Sequence, residues 1–326
     1  MPSLKEIKNR ISSVNSTRKI TSAMKMVASS KLHHAQIMIG NMLPYESMLE
    51  HILKAFLASE VDATTVYNTV RPIKKVALVV YSSNSSLCGG FNANVIKAMQ
   101  QTVDKYQRLV GLDNIVIYPI GRKIAEKVTK LGFNCGGDFS EIADKPDLHK
   151  CIELADILSQ KFLDGEYDHI EMIYHHFKSA GSQILTQKTF LPINIQDELD
   201  FDDERDLTSN IATLEAQEYL RKKGKTSSNE KEAAKPLNDN FIVEPDMESV
   251  LCSLIPKLSH LMIYTALLDS NASEHAARMV AMQTATDNAD ELLRDLSLQY
   301  NKSRQQAITN ESVSYTHLTL PTTPYV

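Results

Sequence analysis

The stretch SEHAARMVAMQTATDNA, Ser273–Ala289, lies within the longest periodic segment of the sequence. Around it, one line of residues, here called the seam, alternates steps of four and three. The seam comprises Leu258, Leu261, Thr265, Leu268, Ala272, His275, Met279, Met282, Thr286, Ala289, Leu293, Leu296 and Tyr300. A 3.5-residue period kept over this many heptads predicts a supercoiled helix. Because the middle of the seam is small or polar, it favours close approach of a partner helix. We predict one coiled-coil helix over residues 246–311.

Residues 1–57 predict a second long helix that partners the first. Ser3 and Glu6 have the spacing of a capping box, and Pro44 is the expected weak point. An apolar line follows the same period, drifting to a slightly rotated face at Ile20. Its members are Leu4, Ile7, Ile11, Val14, Ile20, Met24, Val27, Leu32, Ala35, Ile39, Met42, Leu49, Leu53 and Phe56. Neither helix fits inside a globule, so we predict an antiparallel pair.

The middle of the chain, residues 75–195, switches to strand-helix alternation after a linker at 58–74. Strands are predicted at 76–81, 114–120, 169–177 and 184–192, and helices at 92–108, 122–131 and 147–163. Alternation with short connections is typical of a Rossmann-like parallel sheet. Of the two later strands, the segment 169–177 alternates more than 184–192, so we expect it nearer an edge. The predicted fold class is α+β: a long antiparallel coiled coil of the N- and C-terminal helices, plus a central Rossmann-like α/β domain.

Two segments do not fit either pattern. Residues 196–245 begin with an acidic run and continue without a core-facing period, so we interpret them as a polar, flexible insert. Residues 312–326 are rich in Thr and contain Pro321 and Pro324. We expect the helix to stop there. Our hypothesis is that this tail is foreign to the protein, and it is excluded from fold reasoning.

Composition excludes several classes of function. A net charge of −5 and a pI near 6.1 argue against a broad nucleic-acid surface. The four cysteines show no C-x-x-C spacing, so neither a zinc site nor a disulfide framework is indicated, and a reducing compartment fits best. No apolar run approaches the roughly 20 residues that a membrane helix needs. We expect membrane association only through partners.

A search for catalytic chemistry leaves one alternative open. Residues 82–92 follow the first strand, where α/β sheets hold phosphates or nucleophiles, but no glycine-rich phosphate motif occurs there and Cys88 has no neighbouring base in sequence. Gly224-Lys225-Thr226 lacks the upstream glycine of a Walker A loop, because position 219 is Tyr219. We predict no catalytic, cofactor-binding or metal residues. The alternative is an α/β enzyme that binds a nucleotide or acyl group at this loop and dimerises through its helices.

The histidines have structural interpretations. The adjacent pairs His33-His34 and His175-His176 point in different directions on a helix or strand, so neither forms a natural metal pair. His275 lies on the seam, where a single polar residue can fix helix register. A coiled-coil scaffold protein would also explain such a seam and predicts a self-associating dimer.

Several stretches, in this order, resemble the γ-subunit family of F-type (F1Fo) ATP synthases. They are ITSAMKMVA at 20–28, LCGGFN at 87–92, the stretch at 273–289 and YNKSRQQAITNE at 300–311. The resemblance covers nearly everything up to Glu311. One departure is the loop 83–89, SNSSLCG here and usually Ser-Asp-Arg-Gly-Leu-Cys-Gly in the family. The other is the end of the chain, since the family's helix continues past Glu311 for about a dozen residues.

The resemblance implies a bacterial rotor subunit without catalytic residues or cofactor. It would stand in the α3β3 hexamer, contact the ε subunit and the c-ring of Fo, and couple proton-driven rotation to ATP synthesis. It would lie at the cytoplasmic face of the inner membrane. Five residues fall on segments that in the family face β or brace the helices, and they are carried over as coupling residues: Met24, Lys25, Arg278, Gln305 and Thr309. Arg278 and Gln305 are expected to donate hydrogen bonds to β.

Overall fold

The computed structural model describes residues 3–57, 67, 69–193, 244 and 247–319. In chain order its helices and strands are α1 (Leu4–Leu57), β1 (Val76–Tyr81), α2 (Phe91–Val110), β2 (Ile115–Ile120), α3 (Arg122–Leu131), β3 (Asn134–Cys135), α4 (Ser140–Asp144), α5 (Leu148–Leu163), β4 (His169–Ser179), β5 (Ser182–Leu191) and α6 (Met247–Thr319). The elements predicted between residues 75 and 195 are confirmed to within two residues at each end. The short β3 and α4 were not predicted.

The strands form one sheet in the order β3-β2-β1-β4-β5. The pairings β1-β2, β1-β4 and β2-β3 are parallel, and β5 joins β4 antiparallel. The expectation that the segment 169–177 lies nearer an edge is wrong. β4 lies between β1 and β5 and is buried almost throughout, whereas the alternating burial pattern belongs to β5, the true edge. Glu171, His175 and His176 of β4 are buried within the chain.

Residues 28–278 form one compact unit of the chain, and its core lies on both faces of the sheet. Alternate side chains of a strand point to opposite faces. Thus Ala77, Val79 and Tyr81 pack with α5 and the first part of α6, while residues 76, 78 and 80 pack with α2 and α3. The Tyr81 hydroxyl donates to the carbonyl of Ile263 at 3.2 Å. The beginning of α6 is therefore part of the α/β core.

A glycine closes the turn after β2. Gly121 has φ +108°, and a Cβ there would lie 2.2 Å from the carbonyl oxygen of Ser82. The amide of Ser82 donates to the carbonyl of Ile120 at 2.7 Å, and its hydroxyl accepts from the amide of Ile124 at 3.1 Å. Only a residue without a side chain permits this approach, which holds the ends of β1 and β2 together.

The second compact unit contains residues 1–27 and 279–326. Within its described part, Thr21 Oγ1 and Thr286 Oγ1 are 2.9 Å apart, and Arg18 Nη1 donates to Asp290 Oδ1 at 2.8 Å. Residues further along α1 meet residues further back on α6. The two helices therefore run antiparallel here, as the sequence predicted.

The apolar line predicted for α1 is wrong at its rotated section. Ile20 and Val27 are 60% and 58% exposed, whereas Thr21 is 9% exposed. The prediction placed the largest apolar residues against the partner helix. A hydroxyl that bonds across to Thr286 permits closer helix packing, so the small residue takes the inner position and the large ones face outward.

The long helices are more continuous than their sequences suggest. α1 runs through Pro44 without a break in its assignment. The prediction that the second helix stops near residue 312 is wrong, since α6 continues to Thr319, and the two prolines of the tail lie beyond the described residues. Most of the linker predicted at 58–74 and nearly all of the insert predicted at 196–245 also lie outside them. That residues 312–326 are foreign stays a prediction.

Candidate coupling site

A polar stretch of α6 is buried in the unit formed by residues 28–278. Its buried polar members are Asp269, Ser270, Asn271, Ser273, Glu274 and His275. A helix that packs along one seam buries every third or fourth residue, but all residues from 269 to 275 of α6 are buried. The reason is that this part of α6 is enclosed by other elements of its unit on more than one side. The run Asp-Ser-Asn-Ala-Ser-Glu-His in an otherwise apolar helix was the available signal.

Three side chains of this stretch bond to the α/β elements. His176 Nδ1 and Asp269 Oδ2 are 2.8 Å apart, with side-chain exposures of 6% and 2%. Asn271 Nδ2 donates to the carbonyl of Ala143 at 2.9 Å. The hydroxyl of Ser273 donates to the carbonyl of His175 at 3.3 Å. Asp269, Asn271 and Ser273, together with Glu274 and Arg278, are called the polar belt below.

Arg278 closes the polar belt against the loop that follows β1. Its Nη1 donates to Glu274 Oε1 at 2.7 Å, and its Nη2 donates to the Ser85 hydroxyl at 2.6 Å. Burial raises the pKa of Glu274, although Arg278 acts in the opposite direction. Arg278 Nη1 also lies 3.4 Å from His275 Nδ1. Burial, and then the charges of Arg278 and Lys31, lower the pKa of His275 from 6.5 to about 4, so this ring is neutral at physiological pH and can accept the hydrogen bond.

The loop 82–92 is satisfied by its own hydrogen bonds. Asn92 Oδ1 accepts from the amide of Ser83 at 3.1 Å, and Asn92 Nδ2 lies 2.8 Å from Ser83 Oγ and 3.1 Å from Cys88 Sγ. Asn84 accepts from the amide of Arg122 at 2.8 Å. The Cys88 thiol is buried and lies beside an amide and a hydroxyl. These contacts fix the turn and supply no base to activate the thiol.

The polar belt occupies the position where α/β sheets usually bind ligands. That position is the crevice beyond the carboxyl ends of the strands where the strand order reverses, here between β1 and β4. Ser85 follows β1, and His175 lies two residues beyond the Ile173 that pairs with Val80. Both are bonded to α6, through Arg278 and Ser273. The chain's own helix α6 therefore bonds to both sides of this crevice.

The other sequence candidates add no second site. His175 stacks on Phe91 with ring centres 4.4 Å apart, and burial lowers its pKa to about 4. Its neighbour His176 faces Asp269. Within the described ranges, no group of three or more His, Cys, Asp or Glu residues is placed to hold a metal ion. Gly224-Lys225-Thr226 lies outside these ranges.

Comparison with known proteins covers almost the whole chain. The sequence profile described as ATP synthase matches residues 3–313. The ATP synthase gamma chain of Phocaeicola vulgatus is 49% identical over 311 residues, covering 95% of this chain and 96% of that protein. The gamma chain of Bacteroides thetaiotaomicron is 50% identical over 311 residues, covering 95% and 97%. The chain belongs to the ATP synthase gamma chain family. The resemblance noted in the sequence is confirmed.

Solved structures agree with this family fold. A chain of the Euglena gracilis mitochondrial ATP synthase, solved as OSCP/F1/c-ring in rotational state 3, has a TM-score of 0.58 at 17% identity, covering 99% of both chains. A rotor chain from the same organism in rotational state 1 has a TM-score of 0.54 at 17% identity, covering 94% and 98%. At this identity the likeness concerns the fold. It confirms the predicted class, an α/β sheet with long helical termini. Among the described helices, none is long and apolar enough to cross a membrane.

The coupling residues carried over from the gamma chain family lie in different settings. Met24 and Lys25 are half-buried on α1, whereas Gln305 and Thr309 are exposed near the end of α6. The Thr309 hydroxyl donates to the carbonyl of Gln305 at 2.9 Å. Arg278 differs from the other four because two of its nitrogens bond to its own chain. Contacts of all five with β stay predictions.

The seam residues divide between the two units. Leu261, Leu268 and His275 are buried in the unit of residues 28–278, where α6 is enclosed by other elements. In the other unit Met279, Met282 and Leu296 are buried and Leu293 is half-buried. Residues between them, such as Val280 and Leu292, are 41% and 44% exposed. Along this second part, burial follows a narrow stripe of the helix.

Proposed function

We propose that this chain is the central-stalk rotor subunit of an F-type ATP synthase, coupling rotation of the c-ring to the conformational cycle of the β catalytic sites. The observation that carries the proposal is the match to the gamma chain family over residues 3–313, with about half of the residues identical in bacterial relatives. In mechanical terms, the function requires a stiff, asymmetric shaft. Two long antiparallel helices would supply stiffness.

The chain is proposed to carry no catalytic residue of its own. Support comes from the crevice between β1 and β4, where Arg278 bonds to Ser85 and Ser273 bonds to the carbonyl of His175. The alternative enzyme would need this crevice, or the loop beside it, for a nucleotide or acyl group. Because the loop's polar groups already bond to one another, a ligand would have to break several of these bonds to enter.

The proposed partners are the α3β3 hexamer, the ε subunit and the c-ring of Fo. The names of the structural relatives, F1/c-ring and rotor, support the first and the last. Ile20, Met26 and Val27 leave large apolar surfaces exposed on α1, which is the kind of surface that a protein partner covers. We place the chain at the cytoplasmic face of the bacterial inner membrane, held there by its partners, and assign it no nucleic-acid partner.

Co-expression with the cognate α and β subunits tests this proposal. We expect one copy of the chain to purify with each α3β3 hexamer, and membrane vesicles containing the complete complex to acidify when ATP is added. A variant with Ile20 and Val27 changed to Ser is expected to assemble less well, while a Leu109→Ser control, which changes an exposed leucine on α2, should assemble normally. Recovery of active α3β3 without this chain bound would overturn the proposal. Tight nucleotide binding by the isolated chain would favour the enzyme alternative.

A further inference from the structure

The sheet and α6 meet through two kinds of contact. The first is apolar: Ile255, Ile263 and Leu267 pack in the same cluster as one face of the sheet. Apolar contact is not directional, so it holds a helix against a sheet without fixing how far the helix is turned about its axis. The second is hydrogen bonding, which requires defined distances and angles: the Tyr81 hydroxyl donates to the carbonyl of Ile263, and the polar belt supplies the bonds made by side chains of α6.

The His176–Asp269 pair is the most buried part of this second contact. Its atoms are 2.8 Å apart, and both side chains are almost completely hidden from solvent. A rotation of α6 by one residue position would turn Asp269 away from β4 and leave its carboxylate in an apolar setting, which is strongly unfavourable. Buried polar pairs are best attested as devices that select one register among several with similar apolar burial.

The bonds of the polar belt come from different sides of α6. Asp269 bonds to a side chain of β4, Ser273 to the β4 backbone and Asn271 to the carbonyl of Ala143 in α4. Arg278 bonds to the loop after β1. Bonds to three elements constrain rotation in both senses, because turning α6 either way lengthens at least one of them.

We propose that the polar belt, centred on the His176–Asp269 pair, is the joint that fixes the angle between the α/β sheet and α6, so that torque received by the sheet passes into the helix without slip. This inference rests on the proposed rotor function. His176 and Asp269 act as positioning residues: they touch no nucleotide, and their effect on ATP synthesis is exerted through the helix.

Three variants of the full chain, assembled with α and β, test the joint. The double variant H176L/D269A removes both members of the pair together and nearly conserves total side-chain volume, so the fold should persist. D269N has the same size and can still accept from the imidazole N–H, so it should behave as the unmodified chain. M262L changes a buried apolar residue of the same contact and is the matched control.

Two native cysteines provide a direct measurement of the angle. Cys135 and Cys252 are exposed, whereas Cys88 and Cys151 are buried. Spin labels on the exposed pair report the distance between the sheet and the start of α6. With cysteine-free α and β, we expect a narrow distance distribution in the unmodified chain, D269N and M262L, and a broadened or shifted one in H176L/D269A. Loss of stability alone would not move the distance in the assembled complex.

The functional readout is the number of protons pumped per ATP hydrolysed in vesicles containing the complete synthase. For H176L/D269A we expect this ratio to fall at least about twofold, the lower end of mutational effects on coupling, whereas D269N should keep the ratio of the unmodified chain. An unchanged distance distribution and an unchanged ratio would overturn the proposed joint while leaving the rotor function intact. If the unmodified chain itself neither assembles nor supports pumping, the rotor proposal fails instead.

Discussion

Replacing Arg278 by methionine tests the electrostatics of the polar belt. The change removes the cation that bonds to Glu274 at 2.7 Å, and the two side chains are only 12% and 8% exposed. Breaking a buried pair from one side costs about 3–5 kcal/mol, since a charge stays behind without its partner. Lys31 continues to favour the ionised Glu274, while Asp144 opposes it. We therefore expect a loss of stability of at least about 3 kcal/mol.

Hydrogen exchange of the assembled complex measures this loss locally. Peptides covering residues 269–280 should exchange roughly 150-fold faster in R278M, because 1.4 kcal/mol corresponds to about a factor of 10. The same substitution in an E274Q background leaves no charge behind. In that background the loss of local stability should be only about 1 kcal/mol, the usual net value of a lost hydrogen bond. An equal loss in both backgrounds would refute the assignment of the cost to an isolated carboxylate.

The pH dependence gives an independent check of the same reasoning. Burial raises the pKa of Glu274 above its unfolded value, so the folded state binds the proton more tightly. The stability that Glu274 contributes is then complete at pH values below its pKa in the unfolded state. It is lost as the pH rises through its pKa in the folded state. In R278M the folded pKa should rise further, extending the fall to higher pH, and in E274Q the fall should be absent. A pH profile of R278M that matches that of E274Q would contradict the argument.

Three further outcomes can be measured by unfolding the full chain. Gly111→Ala should cost only backbone strain, about 1–3 kcal/mol, whereas Gly121→Ala adds a 2.2 Å clash with a carbonyl oxygen and should prevent folding of the sheet. Because burial lowers the pKa of His275 from 6.5 to about 4, stability should fall as pH drops through this window, by up to about 3 kcal/mol, and His275→Gln should remove that component. Thr21→Val should cost about 1 kcal/mol, and adding Thr286→Val should recover most of it because both partners are then apolar.

The order of helices and strands could be predicted from the sequence because local sequence patterns determine each of them. The apolar, β-branched run of β1 is typical of a buried strand by itself, and the 3.5-residue period identifies α6 without any knowledge of its partner. The rotation of each helix about its own axis, which decides the residues that face the partner helix, was harder to predict. Ile20 fits an apolar line better than Thr21 does, yet Thr21 bonds across to Thr286. Periodicity does not indicate which residues will find a cross-helix hydrogen bond.

The polar belt was only partly predictable for a related reason. The sequence indicates Arg278 through the family resemblance and His275 through its place on the seam. It does not indicate Asp269, Asn271 and Ser273, because polar residues on a long helix usually face water. Their partners on β4 and α4 are about 100 residues away in the sequence. His176 was treated as one of an adjacent pair pointing in opposite directions, which is correct for a strand, but the element that receives each ring depends on tertiary packing.

The hydrogen-bonding of buried polar groups distinguishes a subunit that transmits torque from an enzyme with the same fold. In an α/β enzyme, polar groups at the carboxyl edge of the sheet are left partly unsatisfied, because substrate supplies their missing partners. Here Ser85 and the His175 carbonyl at that edge bond to the chain's own helix, through Arg278 and Ser273, although the buried Nδ1 of His175 has no hydrogen-bond partner among the described residues. In the proposed joint, those two bonds connect the sheet to the helix. If instead the edge were a vacant ligand site, substituting Arg278 would open a crevice that binds nucleotide, and titration of the R278M complex with a fluorescent ATP analogue would show a new site absent from the unmodified complex. We expect no such site.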